Sequence, residues 1–420
     1  MVKVPAGFRR GARAGEKRSR RSEPRRRRAE NVIVYGTTVG LSANRLLRGQ
    51  LSDMQKRGWE VHVVSSPGED LTNAIQREKV RGHALPMRRD PAPLRDLVSL
   101  VRWTLLLLRL RPAITNVSTP KAALLGSIAA FATRVPRRIY VVRGLRLEGA
   151  VGRARTILTL MERLTIALST DVIAVSHSLA EAIREEGLVQ SGTAVHVIGS
   201  GSSNGVDAVG VRTAGTPESR SALRRELGIS DQVVIGYLGR ISTDKGIDSL
   251  AEATGLSPLA STSNWTLLCV GGVEDAATLA KLRDRVENLV HVDHTSEPWR
   301  YLSAMDILCL PTRREGFPNV VLEAGALGIP TVTTNATGAT DAVIDGITGL
   351  QVPVDDPAAL SWALAELVTQ PSQRSTMGAS ASLRVDQEFQ QETIWDGLHT
   401  LYSDPSSQLR TRRATKAARH

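Results

Sequence analysis

Two short segments in the second half of the chain hold the residue types that a phosphorylated, hydroxyl-rich ligand needs. The first is GYLGRISTDKG at 236–246, which sets Arg240 and Lys245 on one loop beside Gly239. The run before it reads as a strand and the run after it as a helix, so both cations fall where a strand ends and a helix begins. Arg grips phosphate oxygens bidentately, Lys adds a compact charge and helix-terminus amides add donors, a combination suited to a diphosphate. Taken alone, the pair reads more readily as ordinary surface charge on a solvated loop, and it is the second segment that turns the reading towards a ligand. The second segment, PTRREGFPNVVLEAGALGIP at 311–330, follows the apolar run DILCL. Glu315 lies on its loop, Phe317 and Pro318 lead into a helix, and Asn319 to Leu327 form the first turns, with Pro placed where its fixed φ and missing donor do no harm. The amides from Gly316 to Val320 are expected to face a cleft as an anion site, with Glu323 one turn further in. Glu323 would accept hydrogen bonds from ribose hydroxyls while Glu315 takes a sugar. The plain alternative is an exposed loop Glu and a helix N-terminal Glu that favours the dipole.

Such loops need strands and helices in alternation to hold them, and the periodicity supplies this from Asn31 onward. Asn31 to Tyr35 reads as a strand, Gly36 to Ser42 as a turn, Ala43 to Arg57 as an amphipathic helix and Glu60 to Ser65 as a strand, which makes a βαβ unit. Further strands are expected at Ile114 to Val117, Arg138 to Val142, Asp171 to Val175 and Ala194 to Ile198, in a parallel sheet covered on both faces. The stretch 199–220 is rich in Gly, Ser and Thr without apolar period and reads as a linker. A second α/β series runs through Gln232 to Leu238, Trp265 to Val270, Leu289 to Val292, Asp306 to Leu310, Thr331 to Thr333 and Gly349 to Val352. The expected layout is a basic tail over 1–30, a first domain over 31–198, the linker, a second domain over 221–384, a helix over 385–403 that crosses back, and a basic tail over 404–420. Two doubly wound parallel-sheet α/β domains that face each other leave a ligand cleft between the carboxyl ends of their strands.

Charge does not describe this body. The formal net charge is +12, yet residues 1–30 hold 12 Lys/Arg against Glu16, Glu23 and Glu30, and residues 404–420 hold five against Asp404. The two tails therefore carry the whole excess and the folded part is near neutral. Arg-rich tails of this composition should be disordered and attract anionic surfaces, of which an anionic membrane is one candidate and nucleic acid another. Few aromatics, 4%, and no basic stretch interleaved with them argue against specific nucleic-acid binding by the body. Cys269 and Cys309 sit in apolar runs and match no paired-cysteine metal pattern, which favours a reducing, cytoplasmic setting. His291 and His294 in HVDH lie on a strand and turn and read as core or surface histidines. The most apolar stretch, Val98 to Leu110, is interrupted by Arg102 and Arg109 and is too short to span a bilayer.

Between Asn31 and Tyr402 the chain resembles the retaining glycosyltransferases of family 4, which have the two-domain GT-B fold. The resemblance is carried most specifically by the E-x7-E motif, matched by Glu315 and Glu323 in EGFPNVVLE. It implies that Glu315 contacts the donor hexose, that Glu323 contacts the nucleotide ribose, and that Arg240 and Lys245 hold the diphosphate. It also implies donor contacts from Gly40, Gly239 and the segment Gly316, Phe317, Pro318, Asn319 and Val320. SSPGEDL, STPKAALLG, RGLRLEG and GSSNGVD look like the branch that builds capsular, exopolysaccharide and lipid-linked glycans. Two departures stand out. Many relatives carry His-Gly after the strand matched by RIYVV, where this chain has Arg143-Gly144; Arg stays protonated and cannot serve as a base, though it can stabilise negative charge. The loop Thr37 to Ser42 has one glycine, Gly40, where many relatives have two. Arg146 and Glu148 share the Arg143 loop, and Lys121 starts a helix after STP, all three on the acceptor side. The chain has no Asp-x-Asp metal clamp, so the resemblance implies a metal-independent reaction without cofactor, on a nucleotide-sugar donor and a lipid-linked or saccharide acceptor. Leu94 to Leu110, with flanking Arg, also suits an anionic membrane surface, which adds a peripheral position on the cytoplasmic face of the inner membrane. The alternatives are a GT-B sugar-nucleotide epimerase or hydrolase, and a binding protein that acts through its basic tails.

Overall fold

The computed structural model describes residues 31–404 except 89 and 191–193, so the basic tails expected over 1–30 and 404–420 lie, save Asp404, outside the described residues. Seven strands, β1 Val32–Gly36, β2 Glu60–Ser65, β3 Arg81–Ala84, β4 Ile114–Ser118, β5 Arg137–Val142, β6 Asp171–Ala174 and β7 Val195–His196, form a parallel sheet in the order β3-β2-β1-β4-β5-β6-β7. Six more, β8 Val233–Leu238, β9 Trp265–Val270, β10 Leu289–Val292, β11 Ile307–Leu310, β12 Thr331–Thr334 and β13 Gly349–Val352, form a second in the order β10-β9-β8-β11-β12-β13. Every residue of β1 (VIVYG) and β9 (WTLLCV) is buried, as strands covered on both faces must be. Strand order reverses beside the first strand of each sheet, between β1 and β4 and between β8 and β11. Loops that leave those strands diverge there and open a crevice at their carboxyl ends. In the first sheet this point is tied by Thr38, whose amide and hydroxyl both lie 2.8 Å from the Thr119 hydroxyl.

The structure departs from the sequence expectation in five places. The helix expected over Ala43 to Arg57 is two, Gly40–Leu46 and Gln50–Lys56, because the chain turns at Gly49 with φ +78°. Buried Glu78 covers the new helix start, accepting from the amides of Gly49 at 3.0 Å and Ser52 at 3.2 Å. Strand β3, RGHA, is largely exposed and so carries no apolar alternation to read. The stretch 199–220 contains helix Ala208–Ala214 and the start of helix Pro217–Glu226, capped by the side chains of Asp207 and Thr216. The strand expected over Ala194 to Ile198 is only Val195–His196. Finally, the closing helix is broken at Phe389–Gln390 into Pro371–Glu388 and Gln391–Ser403. The break lets Phe389 O accept from Val206 N at 2.8 Å. The last helix then crosses onto the first domain, where Asn116 donates to Tyr402 Oη at 2.6 Å and Arg57 pairs with Asp396 at 2.7 Å.

Candidate functional site

Strands β8 and β11 are neighbours, so the loops after Leu238 and Leu310 start side by side and the two chemistry-bearing segments meet. Lys245, closing the short 3-10 turn Thr243–Lys245, reaches Glu315 with Nζ 2.5 Å from Oε1, and both side chains are mostly buried. Arg240 is half exposed and is engaged by Glu274 and, at 3.7 Å, by Asp244. Asp244 also takes Arg314 at 3.2 Å. Burial alone would raise the Asp244 carboxyl, but the Ser242 hydroxyl and the Lys245, Arg240 and Arg314 cations hold it below the ordinary range. Each cation of the pair thus rests on a carboxylate. Gly239 turns the chain out of β8, its amide bonded to Val270 O at 3.0 Å.

The loop after β12 supports Glu315 from behind. Glu315 N donates to Thr337 O at 2.9 Å, and Gly338, at φ +75°, lies so close that a Cβ there would fall 2.6 Å from Glu315 O. Helix Asn319–Ala326 then begins at Pro318 without a side-chain cap. The amides of Asn319 and Val320 at its start lie ahead of the intrahelical ladder, which begins where Val321 N donates to Pro318 O at 3.0 Å. Pro318 has no amide, so the donors expected from Gly316 to Val320 reduce to those of Gly316, Phe317, Asn319 and Val320. The Phe317 ring is buried and packs on Phe389, centroids 5.4 Å apart, which makes it an anchor for the helix start. Glu323 faces Trp299 and Arg45 of the first domain, with Arg48 stacked over the same indole at 5.8 Å; burial pushes its carboxyl up, opposed by Trp299 and Arg45.

The first-domain residues are divided by the structure. Gly144, at φ +124°, brings the Arg143 carbonyl against the second domain, where a Cβ on Gly316 would fall 2.3 Å from Arg143 O. The Arg143 side chain points into a cavity of about 20 Å³ lined by Asn116, Ser202 and Ile394, where Nη1 donates to Ser203 O at 3.0 Å and Nε has no partner. Burial pulls this guanidinium down to about 10, so it stays charged at neutral pH. Glu148, on the 3-10 turn Arg146–Gly149, faces Thr337 and Arg314 of the second domain; burial raises its carboxyl and Oε2 has no partner. Arg146 is exposed. Lys121 is bonded to Asp96 at 2.8 Å, which turns its charge toward helix Pro93–Leu110. Gly40 is no loop residue: it opens helix Gly40–Leu46, and a Cβ there would fall 2.8 Å from Leu71 N, so its small size serves packing.

Sequence reasoning missed the residues that join the two domains around this site. Asp341 accepts from the amides of His177 at 3.1 Å and Ser178 at 3.2 Å, occupying the start of helix His177–Glu185, and Gly338 N donates to Ser178 Oγ at 2.8 Å. The signal was available in NATGATD, a glycine-bearing loop at a strand end. His291 lies 3.4 Å from Arg283 at the sheet edge and His294 is exposed, and among the described residues no three His, Cys, Asp or Glu side chains gather as a metal site. The arrangement can hold an anion between Lys245, Arg240 and the helix amides, and hydroxyl groups on Glu315 and Glu323.

Residues 219–384 match the family described as glycosyl transferases group 1, and residues 42–229 match the glycosyl transferase 4-like domain. The chain is 37% identical over 375 residues to the capsular polysaccharide biosynthesis glycosyltransferase CapM of Staphylococcus aureus, covering 88% of this chain and 96% of that protein. It is 34% identical over 205 residues to a GDP-mannose-dependent monoacylated phosphatidylinositol monomannoside mannosyltransferase of Corynebacterium glutamicum, covering 46% of this chain and 53% of that one. Among solved structures it is similar to Anabaena HepE in complex with UDP and glucose, at a TM-score of 0.72 and 19% identity over 89% of this chain and 99% of that one.

Proposed function

The chain belongs to the family of group 1 and 4-like glycosyltransferases, and from that premise we propose that it transfers a hexose or N-acetylhexosamine, with retention of anomeric configuration, from a UDP-sugar to a lipid-linked or saccharide acceptor in capsular or exopolysaccharide assembly. The observation that supports this most is the meeting of Lys245 and Glu315 at 2.5 Å, because it joins an anion-binding cation and a hydroxyl-binding carboxylate at one strand-end crevice. Arg240, Lys245 and the first-turn amides of Asn319–Ala326 would neutralise charge that grows on the leaving diphosphate as the anomeric carbon becomes oxocarbenium-like. Glu315 would orient the sugar and Glu323 the ribose. Charge neutralisation by these side chains needs no metal in this reading. The backbone contact at Gly144 and Gly316 supports closure of the cleft, which would keep water from the donor. The basic tails, and a position on the cytoplasmic face of the membrane, suit an acceptor carried on lipid.

Glu148 favours a second reading. A half-buried carboxyl with raised pKa on the first-domain side of the crevice could act as general acid in sugar-nucleotide hydrolysis or epimerisation. Thermal unfolding with a panel of nucleotide diphosphates and sugar nucleotides tests the first reading, since a ligand that binds only the native state raises its apparent stability. Stabilisation by UDP and one UDP-sugar, lost in Arg240→Ala and Glu323→Ala, is expected; stabilisation by GDP compounds alone would replace the base, and no response would sink the reading. Turnover of the sugar nucleotide without acceptor would favour the second.

A further inference from the structure

Helix Pro93–Leu110 is apolar on two opposite faces. Ser99, Trp103 and Leu107 are buried, with the Trp103 ring over Gly36 of β1, as an amphipathic helix on a sheet requires. On the other side Leu94, Leu97, Val98, Val101, Leu105 and Leu108 follow the spacing of a single helix face and stay in solvent, Leu94 at 83% exposure and the others each at least half exposed. Arg95, Arg102 and Arg109, seven residues apart and all exposed, run along one edge of this stripe. Helix Pro120–Ala132 packs beside it and helix Gly152–Leu168 beside that, so the three share one layer. Their outer sides add Phe131, Ile157, Leu160 and Leu164, all exposed. The acids on these helices are withdrawn: Asp96 is bonded to Lys121 at 2.8 Å, and Glu162 is buried against Tyr140 at 2.8 Å.

Scattered exposed leucines need no explanation, but a contiguous apolar patch rimmed by charge of one sign marks an interaction surface. A further charge source enters at its end. Val32 O accepts from Ala113 N at 2.9 Å, so β1 starts beside the C-terminus of Pro93–Leu110, and the preceding residues 1–30 carry 12 Lys/Arg against three Glu. No helix among the described residues is long and apolar enough to cross a membrane. We propose that this layer docks in the plane of an anionic bilayer, with the stripe from Leu94 to Leu108 among the headgroups and Arg95, Arg102 and Arg109 on lipid phosphates. The inference deepens the peripheral position proposed above by assigning it to a folded face, and it is independent of the donor chemistry.

Co-sedimentation of the full-length protein with phosphatidylglycerol-containing vesicles, against pure phosphatidylcholine vesicles, tests it. The parent should prefer the anionic vesicles, and L97D/V101D/L105D and R95E/R102E/R109E should each weaken binding about tenfold or more. A chain with the Lys/Arg of residues 1–30 changed to Gln should retain salt-resistant binding through the apolar stripe. Loss of all binding in that chain, with the triple-Asp variant binding like the parent, would assign docking to the tail and overturn the proposal. Absence of parent binding, with a dimer that the triple-Asp variant dissociates, would show a second copy of the chain on this face and overturn it equally. Nucleotide-dependent thermal protection, unchanged in the surface variants, confirms folding. Vesicle binding without any nucleotide response would sink the transferase reading alone, and the reverse would sink this one.

Discussion

Lys245 and Glu315 occupy the point where β8 and β11 deliver their loops, and each is the other's partner. Lys245→Ala should lower kcat/KM by about 10²–10³-fold, the scale of losing one preorganised partner to charge developing in the transition state, with the loss read in steady-state transfer assays. Glu323 makes a different prediction. Its carboxyl is raised by burial, with Trp299 and Arg45 opposing, so folding favours the protonated form and the native state loses stability as pH climbs through and above the ordinary carboxylate range. Glu323→Gln should remove that slope. Its Tm, followed across a pH series, should gain on the parent as pH rises from acid to neutral, while its protection by sugar nucleotides falls.

The elements around these residues owe their placement to contacts distant in sequence. Helix Gln50–Lys56 starts where it does because the Glu78 carboxylate takes the Gly49 and Ser52 amides from a neighbouring helix, Glu69–Glu78. Glu78→Ala should therefore cost about 2 kcal/mol in denaturant unfolding, the worth of a lost cap together with buried donors left open. This is also why the sequence alone reads Ala43 to Arg57 as one helix: the apolar period continues through Leu47 and Leu51, and the partner of the interrupting Gly49 lies 29 residues away. Strands with β-branched runs, such as VIVYG and QVVIGYL, were legible to within a residue or two, since local composition and burial agree there. Strand β3 was not, because an exposed edge needs no apolar pattern. At the candidate site, the meeting of Lys245 and Glu315 was legible because both residue types fall on strand-end loops, and the helical place of Glu323 because an apolar run follows Pro318. The inward turn of Arg143, the packing role of Gly40 and the diversion of Lys121 to Asp96 were not, because each depends on a neighbour that only the tertiary fold supplies.

For the molecule as a whole, the two domains touch through backbone at Gly144 and Gly316 and through the Asp341 carboxylate on the His177 and Ser178 amides. Gly316→Ala places a methyl group 2.3 Å from Arg143 O and should hold the domains apart. A larger radius of gyration by X-ray scattering is expected, with turnover falling further than nucleotide protection. The 2.5 Å contact between Lys245 and Glu315 bears on how such a cycle would end. In the proposed reaction an entering sugar diphosphate would replace a partner on both sides, phosphate oxygens for Lys245 and hydroxyls for Glu315. Once the sugar had moved to the acceptor, the spent nucleotide would still serve Lys245 but offer no hexose hydroxyls to Glu315, and the stranded carboxylate would draw the lysine back. The pair would then behave as a return spring, expelling the by-product and resetting the enzyme with its own charge.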